Sequence, residues 1–141
     1  MAGAPPPCSL HHVEIYVRQL AACREFWDPL FARLGWRLHQ EWPQGVSFID
    51  DSTGAYLVFV QAEARFARSG FHRCRPGLNH LAFRAESRER VFSLKSWLES
   101  QGISMLYEDR WPHASGTDSV ALFFEDQDRL KVEVVWSPEG T

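Results

Sequence analysis

Apolar and polar residues alternate along 10–17, with Val13, Ile15 and Val17 on one face and His12, Glu14 and Tyr16 on the other. That is the period of a half-buried strand. Over 19–34 the period becomes helical, carried by Leu20, Cys23, Phe26, Trp27, Leu30, Phe31 and Leu34, so this helix is expected against the apolar side of the strand. Pro29 is expected to kink or restart it. Residues 36–42, 45–50 and 55–61 then read as three strands, parted by Pro43-Gln44-Gly45 and by the turn-rich stretch 50–54. The unit is β-α-β-β-β.

The same order returns. HHVEIYV at 11–17 is echoed by NHLAFRA at 79–85, which places His12 on His80, and the helix of each copy closes on a glycine, Gly35 and Gly102. In the second copy 78–85 reads as the first strand. Residues 87–101 read as the helix, with Val91, Leu94, Trp97 and Leu98 as its stripe, and 103–109, 119–126 and 130–136 as the remaining strands. An internal duplication of this kind constrains the whole fold. The expected class is α+β: two tandem β-α-β-β-β modules forming a curved mixed sheet, helices outside, with a concave metal-binding cleft. The expected boundaries are a flexible tail at 1–9, a first module at 10–61, a connector at 62–77, a second module at 78–136 and a tail at 137–141.

With 141 residues, 45% of them apolar and 23% charged, the chain suits a globular fold with a sizeable core. A net charge of −3 gives no basic footprint, so neither nucleic acid nor a membrane surface is an expected partner. Arg65, Arg68, Arg73 and Arg75 cluster locally, which suits loop solvation or contact with an anionic ligand. Cys8, Cys23 and Cys74 are odd in number and lack CxxC spacing, so the chain reads as cytoplasmic, without a disulfide framework or thiolate zinc site.

The candidate chemistry lies on the polar faces of three strands. In the last strand Leu130, Val132 and Val134 alternate with Lys131, Glu133 and Val135, which puts a carboxylate inside an apolar run, where it needs a partner. His12, His80 and Glu133 projecting into one cleft would supply two imidazole nitrogens and an anionic oxygen. Such a grip holds a divalent metal and leaves positions open for substrate or water.

The doubled plan, with histidine in the first strand of each half and glutamate in the last strand of the second, resembles the vicinal oxygen chelate superfamily. That group includes glyoxalase I, extradiol dioxygenases, methylmalonyl-CoA epimerase and the fosfomycin and bleomycin resistance proteins. The resemblance runs from about Leu10 to Trp136 and implies His12, His80 and Glu133 as ligands of one Fe2+, Mn2+, Zn2+, Ni2+ or Co2+ ion. Glyoxalase I and the epimerase usually place a further glutamate in the last strand of the first half. Here Phe59 aligns with it, with Gln61 two residues on. Losing that carboxylate removes a ligand and the usual base of isomerisation, so dioxygenase-type chemistry on a small substrate with adjacent oxygens ranks ahead of glyoxalase-like isomerase or lyase chemistry. A protein that binds an antibiotic or aromatic ligand without turnover is the alternative from another class.

Around this set, Tyr107, His113 and Glu14 are candidates for proton transfer; Glu14 and Arg84 both lie on the cleft side of their strands, where Glu14 suits orienting a ligand or acting as a base, with a plain ion pair as the other reading. His72, Arg73 and Arg75 suit a carboxylate or phosphate. Phe48, Leu57, Phe59 and Phe124 are candidates for an aromatic-tolerant pocket. His11 is expected on the face opposite His12 in a structural role, and His39 carries no signal. Trp42, Trp111 and Trp136 near turns and ends suit the interface of a homodimer.

Overall fold

A computed structural model of the chain describes residues 3–138, so the outermost parts of both expected tails lie outside the described residues. The chain divides into two compact units, Met1–Arg68 and Ser69–Thr141.

The first unit runs β1 (His12–Val17), α1 (Leu20–Leu34), β2 (Arg37–Trp42), β3 (Gly45–Ile49), β4 (Tyr56–Gln61) and a short α2 (Ala64–Ala67). Its four strands form one mixed sheet in the order β1-β4-β3-β2, in which β1 runs parallel to β4 and the other pairs are antiparallel. Alternation in β1 is observed as expected, with the His12, Glu14 and Tyr16 face the more exposed. The opposite face carries the core: Val13, Ile15 and Val17 pair with Leu57, Phe59 and Gln61, and α1 buries Cys23, Trp27, Leu30 and Phe31. Phe59 lies 5.0 Å from Trp27 and Phe48 stacks on Phe31 at 4.4 Å between ring centroids.

Helix α1 starts without an N-cap side chain of its own, since Gln19 makes no capping bond. Gln61 fills that role from β4: its Oε1 accepts from Leu20 N at 2.9 Å and its Nε2 donates to Arg18 O at 2.7 Å. One of the free amides of the first turn is thereby satisfied. Pro29 does not restart the helix, which is one element from Leu20 to Leu34. Pro29 is exposed, so the Glu25 carbonyl it leaves unbonded can turn to water while Trp27, Leu30 and Phe31 hold the other side.

The second unit repeats the plan as β5 (His80–Arg84), α3 (Arg88–Ser100), β6 (Met105–Leu106), β7 (Val120–Glu125) and β8 (Lys131–Trp136). Its strand order, β5-β8-β7-β6, matches the first sheet position for position. Ser87 caps α3 by accepting from Arg90 N at 3.1 Å, and Val91, Leu94 and Leu98 are buried. The expected strand at 103–109 shrinks to two residues. Tyr107 takes a left-handed backbone with φ 58° and Glu108–Arg110 form a 3-10 turn, which carries the chain off the sheet before the loop at 111–119. No described helix is long and apolar enough to cross a membrane.

Candidate metal and ligand site

Each sheet has one face against its helix and one facing away, and strand register decides which side chains share the second. In the second unit β8 pairs His80 with Lys131, Ala82 with Glu133 and Arg84 with Val135, while β7 sets Phe123 beside Glu133 and Glu125 beside Lys131. Paired residues project to one side, so His80, Lys131, Glu133, Phe123 and Glu125 share this face.

His80 Nε2 lies 3.0 Å from Glu133 Oε1, and its Nδ1 lies 2.7 Å from Asn79 Oδ1. An amide oxygen only accepts, so Nδ1 carries a hydrogen and donates it to Asn79. Nε2 is thereby aimed at the Glu133 carboxylate. Two donors bound at right angles to one ion at about 2.1 Å stand about 3.0 Å apart, so the pair fits cis ligation. Glu133 is only 8% exposed, and Phe123 meets the His80 ring edge-on at 6.0 Å.

Beside this pair lies a residue that the sequence reading passed over. Lys131 is 9% exposed and donates from Nζ to Tyr107 Oη at 3.1 Å, with its ammonium 5.3 Å from the Tyr107 ring centroid. Tyr107 in turn meets Phe123 edge-on at 5.2 Å. Glu125 is bound by Arg73 through one oxygen and Arg129 through the other, each at 3.0 Å. Arg73 is thus held in an ion pair. The alternation that exposed Glu133 in the sequence also held Lys131, two residues earlier on the same face.

In the first unit the corresponding face holds His12, Glu14 and Tyr16 with Tyr56, Val58 and Val60. His12 stacks on Tyr56 at 4.8 Å, and its Nδ1 lies 2.9 Å from His11 Nδ1. His11 precedes β1, so strand alternation does not govern it; its ring meets Tyr56 edge-on at 5.4 Å and is not turned away as expected. His39, which carried no signal, lies 5.1 Å from the same ring. Among the described residues no three His, Cys, Asp or Glu side chains gather closely enough to hold an ion. His80 and Glu133 are the two expected ligands brought into contact.

Register also corrects the alignment. Ala82 pairs with Glu133 and its counterpart Glu14 pairs with Val58, so Val58 and not Phe59 occupies the position of Glu133. Phe59 and Gln61 face the helix, one in the core and one capping α1, and neither points to the histidine side. The expected pocket of Phe48, Leu57, Phe59 and Phe124 is likewise buried core, because all four alternate onto the helix faces. Glu14 is exposed on β1. His113 sits in the loop after the 3-10 turn with Nδ1 2.9 Å from Ser119 O, and His72 Nδ1 accepts from Cys74 N at 3.1 Å.

The chain is similar to YqjT of Bacillus subtilis (strain 168), a protein without assigned function, at 46% identity over 126 residues, covering 89% of this chain and 97% of that protein. A candidate glyoxalase from Bacillus halodurans superposes with a TM-score of 0.86 at 50% identity, covering 90% of this chain and 94% of that one. Lactoylglutathione lyase from Agrobacterium tumefaciens shares the fold at a TM-score of 0.65 and 22% identity, covering 94% and 96%. The family model matching residues 9–134 agrees with the doubled topology, and the chain belongs to the Glyoxalase/Bleomycin resistance protein/Dioxygenase superfamily.

Proposed function

We propose that the protein is a divalent-metal-dependent enzyme acting on a small substrate with two adjacent oxygens. In this reading His80 and Glu133 hold the ion, and His12, from this chain or from a second copy in a homodimer, supplies the other imidazole. The observation that carries it is the 3.0 Å contact of His80 Nε2 with Glu133 Oε1, with Asn79 holding the hydrogen on Nδ1. A bound ion would chelate the two substrate oxygens and stabilise negative charge on them.

The residues around the pair suit that task. Asn79 keeps Nε2 aimed at the carboxylate, an orienting role that second partners of metal-bound histidines usually fill. Phe123 walls the pair with apolar surface, which strengthens charge interactions by keeping water away. Of the three proton-transfer candidates, Tyr107 is joined to this face through Lys131. Glu14 and His113 remain candidates through their places on β1 and in the loop at 111–119. Val58 supplies no base on the histidine side of β4, so ring cleavage with dioxygen ranks ahead of glyoxalase-type isomerisation. The protein is read as cytoplasmic.

The test is elemental analysis of protein purified without added metal, beside His80→Ala and His12→Ala. Bound metal in the unaltered chain and its loss in both variants is expected; equal content in all three overturns the ligand set. Oxygen uptake with catechols after iron(II) reconstitution supports the dioxygenase ranking, and turnover of methylglyoxal with glutathione, without uptake, reverses it.

A further inference from the structure

We propose that Lys131 is a carboxylate-binding cation, so that the small molecule received beside His80 and Glu133 is an acid. The proposal rests on reading that sheet face as the substrate site.

Lys131 is 9% exposed, and a buried ammonium ordinarily sits against a carboxylate. Its cross-strand neighbour on the same face is Glu125, the obvious partner, but both Glu125 oxygens are bound by Arg73 and Arg129. Glu133, two residues on, turns to His80. Nζ therefore donates to a neutral phenol, Tyr107 Oη, and among the described residues its other two donors meet no acceptor. Tyr107 holds the ammonium in place without neutralising it.

The local charge points the same way. Glu125 already faces two guanidinium groups, those of Arg73 and Arg129. Residues i and i+2 of a strand are about 7 Å apart, so a compact molecule can span from Lys131 to Glu133. A carboxylate matches the two open donors, and its charge-assisted hydrogen bonds would be stronger than those of a neutral carbonyl.

The test uses oxalate as the probe and neutral oxamide as its isostere, titrated calorimetrically into protein stripped of metal. Oxalate is expected to bind more tightly than oxamide, and Lys131→Met and Lys131→Gln to weaken oxalate by about tenfold or more. Manganese(II) affinity should not fall in either variant, since a neighbouring positive charge has been removed. His80→Ala should lose manganese and keep the preference for oxalate, so the metal reading and the carboxylate reading fail separately. The chain has two lysines, Lys95 and Lys131, which gives a readout needing no variant. Oxalate, and not oxamide, should slow reductive methylation of Lys131 relative to Lys95, followed by mass spectrometry. Equal binding of the two probes, undiminished oxalate affinity in folded Lys131 variants, or absence of selective protection overturns the proposal.

Discussion

The exchange of Val58 for Phe59 at the position matching Glu133 is open to a direct test with two single glutamates on adjacent residues. Phe59 is fully buried, with Trp27 at 5.0 Å. Removing a buried phenylalanine costs about 3–5 kcal/mol, and an unpaired carboxylate in that aromatic core adds at least about 2 kcal/mol more. The sum approaches or exceeds the roughly 5–15 kcal/mol that holds an ordinary domain folded. Val58 is also sheltered, at 6% exposure, but it faces away from α1. Phe59→Glu leaves its charge among aromatic rings, whereas Val58→Glu loses about 2 kcal/mol of burial and gains a like charge opposite Glu14, worth up to about 1 kcal/mol. The two variants should therefore differ by about 2 kcal/mol or more. At about 2–4 °C per kcal/mol, thermal unfolding followed by circular dichroism should place Phe59→Glu at least about 4 °C below Val58→Glu. Equal melts, or the reverse order, would show that the β1–β4 register has been assigned to the wrong faces.

Asn79→Leu should weaken manganese(II) binding by about 10–100-fold while leaving the melt near that of the unaltered chain; unchanged affinity in calorimetry would remove Asn79 from the site. Pro29→Ala restores an amide toward the Glu25 carbonyl at an exposed helical position and should raise the midpoint of urea unfolding, since proline in a helix interior costs about 3 kcal/mol relative to alanine. A lowered midpoint would mean that proline suits the helix as it stands. Asp50 accepts from Ser52 Oγ at 2.6 Å, Ser52 N at 2.9 Å and Thr53 Oγ1 at 3.0 Å, bonds that hold its carboxyl below the usual carboxylate range, the Ser52 hydroxyl most of all. Its contribution to stability is thus present above its unfolded-state pKa of about 4 and fades as pH falls through the depressed folded value. Asp50→Asn should flatten that part of the stability-against-pH curve; an unaltered slope on acidification would rule the turn out as its source.

Most elements were legible because each carried one clean period. The alternation of 10–17, the helical stripe of 19–34 and their echo 68 residues later fixed the β-α-β-β-β plan, and the observed helix Leu20–Leu34 and strand His12–Val17 fall within those ranges. Spacing misled where one turn alters the count. Counting back from Glu133 assigned Phe59, but the connection between the third and fourth strands differs in length between the copies, and pairing rather than offset decides the face. A one-residue slip exchanges the two sides of a strand. The strand expected at 103–109 failed because left-handed Tyr107 turns the chain after Leu106, which periodicity does not report. Gln61 resembled a spare ligand because a helix cap arriving from a distant strand leaves no local signature.

The chemistry of the two copies diverges rung by rung. On the side away from the helices, the first copy pairs Glu14 with Val58 and the second pairs Ala82 with Glu133, so each has one carboxylate, on opposite strands. In the second copy the acid sits on β8, only a methyl group stands across from it, and Glu133 reaches His80 at 3.0 Å. In the first copy the acid sits on the same strand as its histidine, two residues along and exposed, and His12 meets His11 and the Tyr56 ring instead. Tyr56 likewise stands where the second copy has Lys131. The duplication thus leaves an aromatic, imidazole-rich face in one unit. In the other it assembles a carboxylate, an imidazole and a buried ammonium on one face of β5 and β8.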